Sequence, residues 1–247
     1  MKALMRWILL LALSLLALQL YFVLRIALMA VVDPQSTTFE RTQIWRIANE
    51  QHRLPWRQDW RGQDQLANSL KRAVIASEDS AFVQHHGIWW DSLEQAWQKN
   101  AKAQARADQQ AQRRPNAAAK PVKPVKIVGG STITQQLAKN LFLSGERTLT
   151  RKGQEMLITL TLEALLSKRR ILEIYLNHVE WGEGVFGAEA AAQHYFRKPA
   201  ARLDNWEAAR LAVMLPRPRY FEKLAQSSYL NERAFTITAR MAEVRIP

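Results

Sequence analysis

Glu78 and Asp79 stand side by side at the end of a stretch with helical apolar spacing, Leu66, Leu70 and Val74. Repulsion between neighbouring carboxylates raises the pKa of one of them, and the apolar surroundings of Val74, Ile75 and Phe82 push the same way. A glutamate raised toward neutral pH suits proton transfer, so Glu78 is a candidate for catalysis against the default of an exposed Glu-Asp pair, with Asp79 orienting its loop. A second stretch, Gly129-Gly-Ser-Thr-Ile-Thr-Gln-Gln-Leu-Ala-Lys-Asn140, reads as a helix start built to meet an anion. Ser131 or Thr132 can cap the helix, and Thr132-x-x-Gln135 fits a capping box. Free N–H groups at such a start favour phosphate. One turn on, Gln135 shares a face with Lys139, as Gln136 does with Asn140. Arg147, Arg151 and Lys152 follow, with Glu155 within one helical turn of the last two. This series of cations points to a phosphate-bearing ligand. His85 and His86 lack partners at ligand spacing and read as structural, with no metal site.

The elements that must position these groups are helical. Leu149 to Ser167 carries Met156, Leu157, Leu160, Leu165 and Leu166 on one face and reads as a long core helix. Lys168 to Asn177 is a second helix, with Ile171, Leu172, Tyr175 and Leu176 in the core and Glu173 tying helices together. Trp181 to Gly187 is a glycine-rich turn, followed by an alanine-rich helix to Phe196. Asp204-x-x-Glu207 caps a helix that stops at Pro216, and a final amphipathic helix spans 231–244. No stretch alternates strictly enough for a strand, so the fold class is mainly α.

Ahead of these lies a membrane anchor. Trp7 to Leu24 is an 18-residue run interrupted only by Ser14 and Gln19. At about 1.5 Å per residue it reaches roughly 27 Å, enough to span a bilayer core. Arg25 can snorkel, which extends the helix to about Val32. No small-x-small cleavage site follows the apolar run before Asp33, as a signal peptide would require. Lys2 and Arg6 place the N-terminus in the cytoplasm and the remainder across the membrane. Residues 1–32 are therefore the cytoplasmic tip and anchor, and 33–247 one domain. Trp45, Trp56 and Trp60 suit either the membrane interface or packing beneath the domain.

The chain of 247 residues is 48% hydrophobic, carries a net charge of +13 and has no cysteine, which excludes disulfides and thiolate metal sites. Such a charge implies a polyanionic partner or an anionic membrane surface; the anchor argues against nucleic acid. Part of the charge lies in 99–126, an Ala/Gln-rich stretch with eight Lys or Arg against one acid, Asp108. It reads as an insertion, a frayed helix to about Arg114 and then a Pro/Lys linker, either a solvated loop or an attractor of anionic headgroups.

Five segments, in order, resemble the motifs of the peptidoglycan glycosyltransferases of family 51. They are Glu78-Asp-Ser-Ala-Phe-Val-Gln-His-His-Gly87, Gly129-Gly-Ser-Thr-Ile-Thr-Gln-Gln136, Arg151-Lys-Gly-Gln-Glu155, Lys168-Arg-Arg-Ile-Leu-Glu-Ile-Tyr-Leu-Asn177 and the stretch from Leu211 to Pro218. The sequence departs from the family after Gly87, where Ile88-Trp89 replaces Phe-Asp, and a basic residue often found a little later is absent near Gln95. With no transpeptidase domain after Tyr220, the resemblance is to the monofunctional form. It implies a lysozyme-like, bilobal domain at the bacterial inner membrane, catalytic side periplasmic, that polymerises lipid II onto a lipid-linked glycan strand. Glu78 would take the acceptor hydroxyl proton. Lys139, Arg147, Arg151 and Lys152, with Ser131, Thr132, Gln135 and Gln136, would bind the departing pyrophosphate. Glu155 would be the second acidic residue of the site, orienting those cations. No cofactor is required, though a divalent cation (Mg or Mn) at Glu155 fits the same charge pattern. Expected partners are inner-membrane lipids and other cell-wall synthesis proteins. The competing readings are a membrane-bound lytic enzyme, which has no leaving pyrophosphate, and a non-enzymatic scaffold, which would typically have lost one of the two acids.

Overall fold

The computed structural model describes residues 2–52, 56–112, 130–146 and 148–247. Gly129, Arg147 and the 113–126 portion of the insertion lie outside the described residues. The fold is mainly α, as expected. Helix α1 (Lys2–Leu28) is 27 residues long, with a mean hydropathy of 2.4 over its most apolar window and 6% of that window buried. At about 1.5 Å per residue it is roughly 40 Å long, so it can cross a bilayer with residues to spare. Its last turns are the part that meets the domain. Phe22, Ile26 and Met29 are buried in the common core, and Phe22 lies edge-on to Phe142 with centroids 5.2 Å apart.

Helix α2 (Thr38–Gln51) was not anticipated, although Thr37-x-x-Glu40 forms a complete capping box. Helix α3 (Asn68–Glu78) ends at Glu78 as its spacing predicts, burying Leu70, Val74 and Ile75. The expected frayed helix from Lys99 is the second half of α4 (Trp90–Gln112), which starts nine residues earlier than expected. Helices α5 (Ile133–Phe142), α6 (Leu149–Leu165) and α7 (Lys168–His178) follow, each with a Thr or Ser N-cap. The glycine-rich turn closes a small antiparallel hairpin, β1 (Glu180–Gly182) and β2 (Val185–Phe186), paired Glu180 to Phe186 and Gly182 to Val185. This corrects the expectation of no strand: two or three residues are too few for alternation to show. Arg57 extends the pairing, donating to Gly184 O and accepting from Phe186 N, both at 2.9 Å. Helices α8 (Ala188–Phe196), α9 (Asn205–Met214), α10 (Pro218–Glu222) and α11 (Ser228–Arg240) complete the chain. A capping box of Asp204 and Glu207 opens α9. The last helix starts three residues before its expected position, at its Ser227 cap, and closes in a 3-10 turn at 241–243.

Packing divides the helices into two groups. Helices α3, α9 and α11 pack on one another, while α5 packs on α2, α6 and α7, with α1 against α6. Helix α6 differs from its expected orientation. Ile158, Leu162 and, just past the helix end, Leu166 are buried, together with Glu155 and Thr159, whereas Met156, Leu157, Leu160 and Leu165 face outward. Apolarity alone cannot tell a core face from a face turned to another apolar medium, and this helix adjoins the membrane-length α1. The two helices are joined by a reciprocal amide pair: Gln19 Nε2 donates to Gln154 Oε1 at 2.9 Å, and Gln154 Nε2 returns a bond at 3.2 Å. Glu173 does not tie helices together. It pairs with Arg170 in its own helix at 3.1 Å, and Arg170 makes the tie, donating to Met29 O, Val32 O and Asp33 Oδ1. Of the tryptophans, Trp60 packs against the core, Trp56 lies over Phe186, and Trp45 is exposed.

Candidate active site

A cleft of about 850 Å³ opens beside the end of α3, lined by α3, the start of α5 and the α9–α11 region. One wall is Ser77 and Glu78 with Ser131 and Gln136; the other comes from the α9–α11 region, including Arg217, Tyr220, Tyr229 and Arg233. A smaller cleft of about 200 Å³ shares Ser77, Glu78 and Ser131 and adds Arg240. Glu78 therefore stands where the two meet.

The half-buried Glu78 carboxylate is fixed by two donors. Gln136 Nε2 gives a bond to Oε2 at 2.9 Å, and Ser77 Oγ a longer one to Oε1 at 3.3 Å. Desolvation raises the Glu78 pKa, as the apolar neighbourhood predicts; the two donors oppose the shift, and Asp79 adds to it. The result is a carboxylate more basic than an ordinary surface glutamate.

Asp79 orients the loop by joining the two motifs. Its Oδ2 accepts from Ile133 N at 3.0 Å, and its Oδ1 is 2.8 Å from His85 Nε2. Gly87 N donates to His85 Nδ1 at 3.1 Å, so Nε2 carries the proton toward Asp79. His85 is thus structural, as expected. Thr132 Oγ1 donates to Gly87 O at 2.5 Å and accepts from Gln135 N, while Gln135 Oε1 accepts from Thr132 N at 3.0 Å. Gly87 has φ +85°, and a Cβ there would come within 2.7 Å of Thr159 Cγ2. These bonds correct one expectation. The first N–H groups of α5 are engaged by Asp79 and Thr132, so a protein carboxylate occupies the position foreseen for substrate phosphate. Thr132 and Gln135 build the junction; Ser131 is exposed and lines both clefts.

Three of the four expected cations gather, the fourth, Arg147, lying outside the described residues. Glu155 is buried on α6, its Oε2 2.8 Å from Arg151 NH1 and its Oε1 bonded to Lys152 Nζ. Lys139, one turn beyond Gln136 on α5, joins them. Crowding by surrounding atoms lowers its pKa, Glu155 opposes that shift, and Arg151 and Lys152 reinforce it. Lys139 keeps an exposed side chain, so water screens these effects. Three cations around one carboxylate leave two positive charges over, and Arg151 Nε is buried without a partner among the described residues. Both Glu155 oxygens are engaged, so a divalent ion there would have to displace Arg151 and Lys152. Among the described residues no group of three or more His, Cys, Asp or Glu could hold a metal.

Four contributors escaped the sequence reading. Arg217, Arg233 and Arg240 line the clefts, and Tyr175, read as core, donates from its hydroxyl to Gln136 Oε1 at 3.0 Å. Arg217 lies within the Leu211–Pro218 motif; nothing local marks the other arginines.

Comparison with known proteins agrees with this arrangement. Residues 46–242 match the family model described as Transglycosylase. The chain is 51% identical over 232 residues to the biosynthetic peptidoglycan transglycosylase of Burkholderia thailandensis, covering 94% of this chain and 83% of that protein. It is 50% identical to the protein of the same name in Burkholderia pseudomallei, with the same coverage, and 48% identical to that in Burkholderia orbicola, covering 86% of that protein. With three of the five motifs lining one cleft and the family model spanning most of the sequence, the chain belongs to the transglycosylase family.

Proposed function

We propose that this chain is a membrane-anchored peptidoglycan glycosyltransferase that joins lipid II to a lipid-linked glycan strand. The observation that carries the reading is Glu78: a carboxylate of raised basicity at the mouth of a cleft, tied through Gln136 to the helix that also carries Lys139. In the reaction the acceptor's sugar 4-hydroxyl gives its proton to Glu78, and its oxygen attacks the donor's anomeric carbon with inversion. The C–O bond to the carrier breaks, and its electron pair leaves with the lipid pyrophosphate. Preorganised cations stabilise the charge that develops there. Lys139, Arg151 and Lys152 supply it, Glu155 holds the latter two in place, and Arg147 continues the series in sequence.

The anchor keeps the domain at the membrane that holds the substrate's tail. On this reading α1 crosses the inner membrane with Lys2 and Arg6 on the cytoplasmic side and the domain in the periplasm. The outward apolar residues of α6, beside α1, then meet lipid rather than water. The basic second half of α4 and the stretch after it are attracted to anionic headgroups.

The test is to incubate the detergent-solubilised full chain with lipid II and look for muramidase-sensitive polymer together with release of the carrier pyrophosphate. Cleavage of isolated glycan strands without polymer would instead support a lytic enzyme, and neither product a scaffold.

A further inference from the structure

The chain Tyr175–Gln136–Glu78 crosses from the core of α7, through α5, to the end of α3. Tyr175 is 1% exposed, and its hydroxyl donates to Gln136 Oε1 at 3.0 Å. On its other side the Gln136 amide donates through Nε2 to Glu78 Oε2 at 2.9 Å. A glutamine amide can flip, and each orientation suits one protonation state of the glutamate. With the N–H toward Glu78, the amide stabilises the carboxylate. With the carbonyl toward Glu78, it stabilises the protonated acid.

We propose that Tyr175 is a positioning residue for the reaction: its hydroxyl holds the Gln136 amide in the orientation that presents N–H, not carbonyl, to Glu78. The proposal rests on the function proposed above. A flip would turn the amide N–H₂ toward the phenol oxygen and leave the buried O–H proton without its acceptor, which is costly in a dry core. The phenol cannot escape this by ionising, because burial, with Glu78 and Asp79 nearby, pushes its pKa well above the ordinary value. The core hydroxyl thus biases Glu78 toward its base-ready form without touching substrate. The other charged groups around Glu78 are Asp79 on its own turn, Arg217, and Arg233 and Arg240 of α11 across the clefts; Lys139 lies one turn further along α5. The donor bonded to the Gln136 amide oxygen is the Tyr175 hydroxyl.

The experiment compares wild type, Tyr175→Phe, Gln136→Met and the double variant in the full detergent-solubilised chain. The pH dependence of kcat/KM is followed by polymerisation, and the Glu78 carboxyl is titrated by infrared difference spectroscopy with Glu78→Gln as blank. Loss of one hydrogen bond to the charged form corresponds to about one pH unit. The Phe variant should therefore move the acidic limb and the carboxyl titration up by about that amount, and recover most of its kcat well above the limb. Adding it to Gln136→Met should shift the limb no further. Unshifted profiles, a uniform loss of kcat at all pH values, or an additive shift in the double variant would overturn the proposal. So would failure of Tyr175→Phe to fold, with Gln136→Met folded and unshifted. If the wild type makes no polymer, the glycosyltransferase reading fails by itself, while the infrared titration still decides whether the hydroxyl acts on Glu78.

Discussion

Glu78→Gln separates base catalysis from folding, because the surroundings of Glu78 accept an amide almost without change. The glutamine carbonyl takes the Oε2 position and still accepts from Gln136 Nε2, now 2.9 Å from the carboxylate. The new N–H₂ faces Ser77 Oγ, which can accept there while donating to Ala212 O, 3.5 Å away. No hydrogen bond is lost outright, and a charge held in a desolvated position is removed. The folded-state pKa of Glu78 is raised, so the ionised carboxylate destabilises the fold, fully so above that pKa, and the cost fades as pH falls through it. The variant should accordingly melt at or slightly above the wild-type temperature at neutral pH, and the difference should close in acid. Activity should behave oppositely. A general base contributes about 10²–10⁴-fold, equivalent to roughly 3–5.5 kcal/mol of barrier. The assay is the initial rate of polymer formation from lipid II in detergent, read beside calorimetric melting of the same sample. If the folded variant turned over within about tenfold of wild type, Glu78 would not be the base and the mechanism would be wrong.

Three further outcomes follow from the same geometry. Lys139→Ala should lower kcat/KM for lipid II by about 10- to 100-fold, below the loss expected of a fully buried oxyanion donor because Lys139 is exposed; an unchanged kcat/KM removes it from the leaving-group site. Gly87→Ala should cost about 2–5 kcal/mol, from strain at positive φ together with overpacking against Thr159 and Glu163, and a melting temperature within a degree of wild type would contradict that. Deleting residues 101–124, which hold six Lys or Arg, should weaken activity in anionic liposomes at low salt and spare it in neutral micelles, since each basic residue near the surface is worth up to about 1 kcal/mol. Equal loss in both media would show that the segment shapes the active site.

Where the sequence was legible, a local physical rule and the tertiary structure agreed. Glu78 falls at the helix end that Leu70 and Val74 require, and Thr132 with Gln135 forms the capping box that their spacing announces. Glu155 meets Arg151 and Lys152 because residues three and four apart share a helix face. The same box at Thr37 and Glu40 opens α2 and went unread. What could not be read depends on contacts across the chain. The N–H groups at the start of α5 do attract a carboxylate, but it is Asp79, 54 residues earlier in sequence. The helix-start rule was therefore right about sign and silent about source. The apolar stripe of α6 is correct as a stripe, yet its partner is decided by α1, which places Gln19 against Gln154 and leaves Leu157 and Leu160 outward. Tyr175 fits the core pattern of α7 fully, and its second task shows only when its hydroxyl is followed to Gln136. A residue buried for packing can thus set the chemistry of a base two hydrogen bonds away, because in a dry core a single donor has to choose its acceptor.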